Sequence, residues 1–460
     1  MSIRRRSFVA SAAAASLGAA LPANAQRSGP PRSDALYRSL LSAIDRIAIV
    51  NTHEHLIAEM DRLKAPRDPF LLVSHYLIND LVSAGLPADD AVRVADANAP
   101  LEKRFALFAP WWKAVRHTGY AEAFHIALRD LYGVEEISLR GFEHVREQMA
   151  NLKAGFYNTV LQKRANIAYS VLDDYWNGEP TRPDPELFVL ARKFDWFVAP
   201  RSRRDLTRME EVTGIAVTSL ADLKRALEKR IEQNLAVGMV TIKSTIAYQR
   251  SLAFEPATEA DASRAFALLA ARESPPPSSP REATQRPLRA LEDHMFHYLL
   301  DLAAQRRLPF QVHTGIQAGN GNHLPNSRPS LLTETIRMHP DVPFDLFHIG
   351  YPWTGEVTAL TKMFPNVHAD FCWAWVLSPT TARRALGEML DAVPFTKIMG
   401  FGGDYRYVEL TYGHARMARQ NIARVLAELV EDRAFEETAA IEIAQAILAK
   451  NPARLFPKGA

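Results

Sequence analysis

Short apolar runs recur along the chain, and most are followed by stretches of helical periodicity. Eight of them read as strands: residues 47–55, 167–173, 196–199, 239–244, 310–313, 344–348, 367–371 and 398–402. Several are near-continuous in apolar residues, as parallel strands buried on both faces must be. Eight strand-then-helix units are the number that closes an α/β barrel of the (β/α)8, TIM type, in which active sites gather at the C-terminal ends of the strands.

Two segments interrupt this rhythm. About residues 56–150, between the first and second runs, carry helical rather than strand periodicity and predict a helical insertion. Within it Phe105, Phe108, Trp111 and Trp112 fall near helical spacing. That spacing fits the insertion's own core, the alternative being a lid over the barrel mouth. Residues 274–287 are rich in serine and proline and read as a solvated loop. A short helix over 35–44 precedes the first strand.

The polar residues that matter sit where the strand-like runs end. His53 and His55 are two apart, so in a strand both imidazoles point to one face. That is half of a metal site. Lys243 ends the fourth run, His313 the fifth and His348 the sixth, and Asp404 follows the eighth. Singly, each has an ordinary explanation. A strand-end histidine is more often structural, an aspartate after Gly-Gly more often a turn or cap, and a lysine an ion-pair partner. Their occurrence together, in order and at successive strand ends, is what those roles do not produce.

The order His-x-His, Lys, His, His, Asp resembles that of the amidohydrolase superfamily, metal-dependent enzymes built on (β/α)8 barrels. The ending Ile-Leu-Ala-Lys-Asn-Pro-Ala-Arg-Leu-Phe (447–456) looks like the last helix of its amidohydrolase-related branch. The segments 242–248 with Arg250, and 112–120 in the insertion, are similar to nodulin-like amidohydrolase domains. Uronate isomerases are more distant relatives. The likeness covers roughly residues 45–457.

The resemblance implies metal ligands at His53, His55, His313 and Asp404. Catalytic roles fall to Asp404, His348 and Lys243, and substrate contacts to Lys243, Arg250, Arg406 and Arg116. It leaves open whether one or two ions are bound and whether Lys243 is carboxylated. The cofactor is a divalent cation: zinc suits imidazole ligands, with manganese or iron as alternatives. Such an ion lowers the pKa of bound water from ~16 toward ~7. The activity expected is therefore metal-dependent hydrolysis of a C–N or ester bond in a small, carboxylate-bearing substrate. Non-oxidative decarboxylation and uronate-type isomerisation run on the same residues and stay open.

Composition narrows location and partners. Arg4, Arg5 and Arg6, then an Ala-rich apolar stretch and Ala23-Asn24-Ala25, form an export leader over residues 1–25. Arg5-Arg6-Ser7-Phe8 fits the twin-arginine type, an ordinary secretory signal being the alternative. Residues 26–46 then form an arm and short helix, and 47–457 the barrel. Cleavage would take three arginines from the 55 basic residues, leaving 52 against 52 acidic ones. A near-neutral mature chain argues against nucleic-acid or anionic-membrane partners. A small-molecule substrate and a periplasmic or secreted location are expected, and whether the chain forms a homo-oligomer stays open. A single cysteine, Cys372, allows no internal disulfide and reads as a buried small hydrophobe.

Overall fold

Eight strands pair in parallel, strictly in chain order. They are β1 (Ile49–Glu54), β2 (Ile167–Leu172), β3 (Phe188–Lys193), β4 (Met239–Ser244), β5 (Phe310–Val312), β6 (Phe344–Leu346), β7 (Val367–Asp370) and β8 (Ile398–Met399). The computed structural model describes residues 34–173, 183–273 and 286–459. The leader, the start of the arm and most of the 274–287 loop lie outside the described residues.

The ring closes beyond the last paired strand. The Thr52 amide donates to the Phe401 carbonyl (3.1 Å), the Asp404 amide to that of His53 (3.0 Å), and the His55 amide to that of Tyr405 (3.1 Å). Residues 401–405 thus take the place of an extended β8 beside β1. The architecture is the expected (β/α)8 barrel.

The third strand is not where the apolar pattern put it. Residues 196–199 are apolar, but Asp195–Val198 is a helical turn, and β3 is the earlier stretch Phe-Val-Leu-Ala-Arg-Lys. Its two terminal cations disguise it as surface. They are tolerated inside because each has a partner: Arg192 donates to Asn234 (3.1 Å), and Lys193 pairs with Asp173 at the end of β2 (2.8 Å).

Between β1 and β2 the chain runs through seven α-helices, from Glu59–Lys64 to Leu139–Met149, and then a π-helical turn. Phe108 is fully buried and packs on Phe70, Phe142 and Trp112. These aromatics form the core of the helical segment, not a lid. Arg104 is buried beside them and is held by Asp68 (2.6 Å) and the Val94 carbonyl (2.8 Å). Among the described residues no helix is long and apolar enough to cross a membrane.

The helical segment is fastened to the barrel through backbone contact. The helix Gly119–Tyr132 begins with Thr118 as N-cap and ends at Gly133 in the left-handed conformation. It lies against Val408–Glu431 so closely that a Cβ added at Gly413 would sit 2.0 Å from the Ala123 carbonyl oxygen. Gly413→Ala must therefore push the two helices apart. A loss of about 1–3 kcal/mol is expected from such overpacking, read as a lower urea midpoint. An unchanged midpoint would show that the helices are not in backbone contact.

Candidate metal centre

Two adjoining strips bring the first three donors together. β1 supplies His53, and His55 follows its end. The 401–405 segment, bonded to β1, supplies Asp404. Nε2 of His53 and Nε2 of His55 are 3.4 Å apart. Asp404 Oδ1 lies 3.2 Å from the second and 3.6 Å from the first. The donor atoms of His53, His55 and Asp404 all fall within 4.8 Å of one another, and so do those of His348, Cys372 and Asp404. Asp404 joins the two groups: Oδ1 faces the β1 histidines, and Oδ2 is 3.9 Å from His348 Nε2.

The hydrogen bonds on the outer side of each ring decide which nitrogen faces inward. His55 Nδ1 donates to the Asp173 carbonyl (3.1 Å), and His348 Nδ1 to the Cys372 carbonyl (2.8 Å). Each Nε2 is left as a lone pair directed into the cluster. His313 is fixed in the reverse sense: Nε2 donates to the Ile316 carbonyl (3.0 Å), and Nδ1 meets His348 Nε2 at 3.0 Å. Lone pairs facing lone pairs and a carboxylate need a cation among them. Oriented imidazoles with backbone partners are how metal-binding histidines are held. The residues fit a divalent cation, and three imidazoles with a carboxylate suit zinc, manganese or iron.

The electrostatics agree. Burial, reinforced by the charge of Lys243, pushes His53 well below the usual imidazole range, and burial brings His348 down to about 4. Both are neutral, as ligation requires. Burial would raise Asp404, but the neighbouring His55, His53 and His348 hold it well below the ordinary carboxylate range.

A second layer holds the donors. Asn51 Oδ1 accepts from the amides of His53 (3.3 Å) and Gly403 (3.0 Å), while its Nδ2 donates to Glu54 (2.7 Å) and Ser170 (3.1 Å). Glu54 in turn accepts from the Tyr405 amide (2.8 Å). A Cβ on residue 403 would meet Glu54 Oε1 at 1.7 Å, so only glycine fits there. His348, Trp373 and Asp404 all adopt positive φ (63°, 62° and 62°). Non-glycine residues in that region concentrate at functional sites, where the surrounding structure over-determines them.

The cluster forms the floor of a cavity of about 750 Å³. Lys243 lines it, its Nζ 3.2 Å from the Phe347 ring centroid, and burial lowers its pKa to about 8. Arg406 lines it as well. Arg250 does not. Its guanidinium is buried and held by Glu292 (2.9 Å) and Asp293 (2.7 Å), so its part is structural and the substrate role expected for it is corrected. Arg116 is likewise corrected: it is exposed, caps the helix Leu101–Val115 and lies away from the cavity.

Several residues at the site were invisible to pattern reading. Asp173 and Lys193 meet beside His55, with Asp173 Oδ2 3.7 Å from His55 Nδ1. Displacement of β3 in the sequence reading hid Lys193. Cys372, read as a plain hydrophobe, is buried with its sulfur in the second donor group. His75 and Tyr76 come from the helical segment and line the cavity. Tyr76, at φ 69°, stacks on Tyr120 (5.3 Å) and packs on Trp373 and Tyr405. Burial, with His55 nearby, lowers His75 to about 3. No barrel periodicity extends to these positions, so nothing in the sequence marked them.

Comparison with known proteins points the same way. A family model described as amidohydrolase matches residues 208–458. Protein fluG of Emericella nidulans is 28% identical over 224 residues, which is 47% of this chain and 25% of that protein. The chain thus corresponds to about a quarter of that relative's length. A uronate isomerase of Nostoc punctiforme is 23% identical over an alignment of 473 positions, covering 91% of this chain and 95% of its own. The crystal structure of a uronate isomerase from Thermotoga maritima superposes with a TM-score of 0.76, at 14% identity, over 92% of this chain and 98% of that one. At such identity the superposition speaks to the fold.

Two outcomes are expected from this geometry. His53→Ala and Asp404→Asn will each lose bound metal by elemental analysis while keeping the wild-type far-ultraviolet circular dichroism. Full metal content in either would place the centre elsewhere. Asn51→Ala, which touches no donor atom but frees both donor segments, should weaken metal affinity roughly 10–100-fold in competition with a chromogenic chelator. Wild-type affinity would show that the Asn51 bridge is idle.

Proposed function

The chain belongs to the amidohydrolase family of metal-dependent enzymes, and from that premise we propose that it hydrolyses a C–N or ester bond in a small, carboxylate-bearing molecule. One observation carries the reading. The two oxygens of Asp404 face different partners: Oδ1 the His53–His55 pair, Oδ2 the His348 ring. A single carboxylate can then serve as ligand through one oxygen and as proton acceptor through the other.

A bound divalent cation supplies Lewis acidity, lowering the pKa of water and polarising a carbonyl. The protein's own groups do the rest. Asp404 Oδ2 takes the proton of the attacking water and returns it to the leaving group. His348, its Nδ1 committed to the Cys372 carbonyl, offers Nε2 to orient that water. Lys243 binds a substrate carboxylate from the cavity floor; with its pKa near 8 it is mostly charged at neutral pH. Arg406 assists from the cavity wall. The imidazole-rich donor set supports zinc. The leader over residues 1–25 supports action in the periplasm or outside the cell.

A second reading is isomerisation of a uronate. It is favoured by the similarity to uronate isomerases over nine-tenths of the chain. The two differ in the fate of water. Turnover in 18O-water is expected to put one heavy oxygen into the product acid, detected by mass spectrometry. Isomerisation would leave product mass unchanged apart from slow carbonyl exchange, and that result on an active substrate would overturn hydrolysis. A screen of amides, esters, lactones and uronates supplies the substrate.

A further inference from the structure

We propose that the cavity has a second anion subsite at its rim, formed by Arg201 and Arg208, so that the substrate is an elongated molecule with negative charge at both ends. The proposal rests on the reading that Lys243 receives one carboxylate at the floor, and it adds where the other end binds.

The argument begins with how this fold treats its arginines. Those turned inward have partners: Arg62 has Glu409 (2.5 Å), Arg104 has Asp68 (2.6 Å), Arg250 has Glu292 and Asp293, Arg192 has the Asn234 amide oxygen (3.1 Å), and Arg419 has the carbonyls of Ile47 and Ala165 (2.9 and 3.0 Å). On the helix Arg203–Thr213, Arg203 is paired with Glu210 (3.3 Å). Arg201 and Arg208 also line the cavity, yet among the described residues neither guanidinium has a carboxylate partner. Arg208 lies over the Trp196 ring at 5.0 Å. That contact sets the guanidinium beside Trp196 in the cavity lining, and a guanidinium without a carboxylate partner can take a carboxylate or phosphate in bidentate fashion.

The remaining charges do not cancel this excess. Lys193 is spent on Asp173. Asp195 is spent on the Ser244 hydroxyl (2.7 Å) and the amide and hydroxyl of Thr245 (2.6 and 3.0 Å). Asp205, which also lines the cavity, accepts from the Arg201 backbone amide (2.7 Å) and offsets one of the two rim charges, while Glu210 is paired with Arg203. One net positive charge remains at the rim.

Burial separates the two subsites. Lys243 is 2% exposed and belongs to the floor with the metal donors. Arg201 and Arg208 are exposed and belong to the mouth. A volume of about 750 Å³ between them lies in the range that encloses drug-sized ligands. A ligand that spans floor to rim engages both charges; a short monoanion engages one.

The test uses the zinc-loaded enzyme and titration calorimetry. Straight-chain dicarboxylates from glutarate to suberate are compared with monocarboxylates of equal chain length. At one or more lengths the dicarboxylate should bind about tenfold tighter, the scale of one added charge-assisted contact. In Arg201→Ala/Arg208→Ala that margin should shrink below about twofold, while Arg208→Lys, which keeps charge but not the planar fork, should retain part of it. If monocarboxylates bind but no dicarboxylate exceeds them, or if the margin survives the double variant, the rim subsite is refuted and the floor reading stands. If neither series binds, the floor reading fails and the rim proposal with it.

Discussion

The seam between β1 and residues 401–405 is the constraint on which the rest of the structure depends. Parallel strands leave a barrel open unless the last meets the first, and β8 is only two residues long. Closure falls to backbone hydrogen bonds from Thr52 to Phe401, from Asp404 to His53, from His55 to Tyr405 and, just beyond, from Ile57 to Arg406. The same bonds set the positions of the candidate metal donors, because His53, His55 and Asp404 lie on the two strips being joined. Fold and site are one arrangement. Asn51 and Glu54 lock the seam from the side, and the space Glu54 needs is the reason position 403 has no side chain. Strain at Asp404 is tolerated because these bonds over-determine its backbone.

Polar groups inside the barrel extend this logic. Gln311 donates to the Thr52 carbonyl (3.0 Å) and to Asp345 (3.2 Å), and Asp370 accepts from the Cys372 amide (2.7 Å). Burial pushes the carboxyls of Asp345 and Asp370 upward, and the charge of Asp370 pushes Asp345 further. Two carboxylates so placed cannot both ionise, and the pair retains a proton. A buried polar network is costly unless its members are satisfied, and when satisfied it rigidifies its surroundings. Here it links β1, β5, β6 and β7, which carry or precede His53, His313, His348 and Cys372. The floor is thus backed by a buried polar network, while the mouth keeps arginines without a carboxylate partner among the described residues.

The helical segment between β1 and β2 contributes differently. Its aromatic core around Phe70, Phe108 and Phe142 is built from the segment's own rings and is continuous with the hydrophobic core of the barrel. One turn of it, carrying His75 and Tyr76, reaches the cavity, where Tyr76 packs against Trp373 and Tyr405 from the barrel. The segment therefore adds recognition surface to a floor already complete without it, the division of labour typical of barrels whose loops vary.

The sequence by itself determined the barrel and which polar residues stand at its strand ends. Strand periodicity is local, and two histidines at i and i+2 must share a face whatever surrounds them. His53, His55, Lys243, His313, His348 and Asp404 were legible for that reason. What surrounds them was decided only by tertiary structure. β3 was missed because charge at Arg192 and Lys193 looks like surface until Asn234 and Asp173 are seen beside it. Arg250 looked like a substrate contact until Glu292 and Asp293, some forty residues on, were found to claim it. Asp173, His75 and Cys372 carry no pattern of their own. Whether a charge is matched or available depends on partners remote in the chain, and no local rule of spacing contains that information.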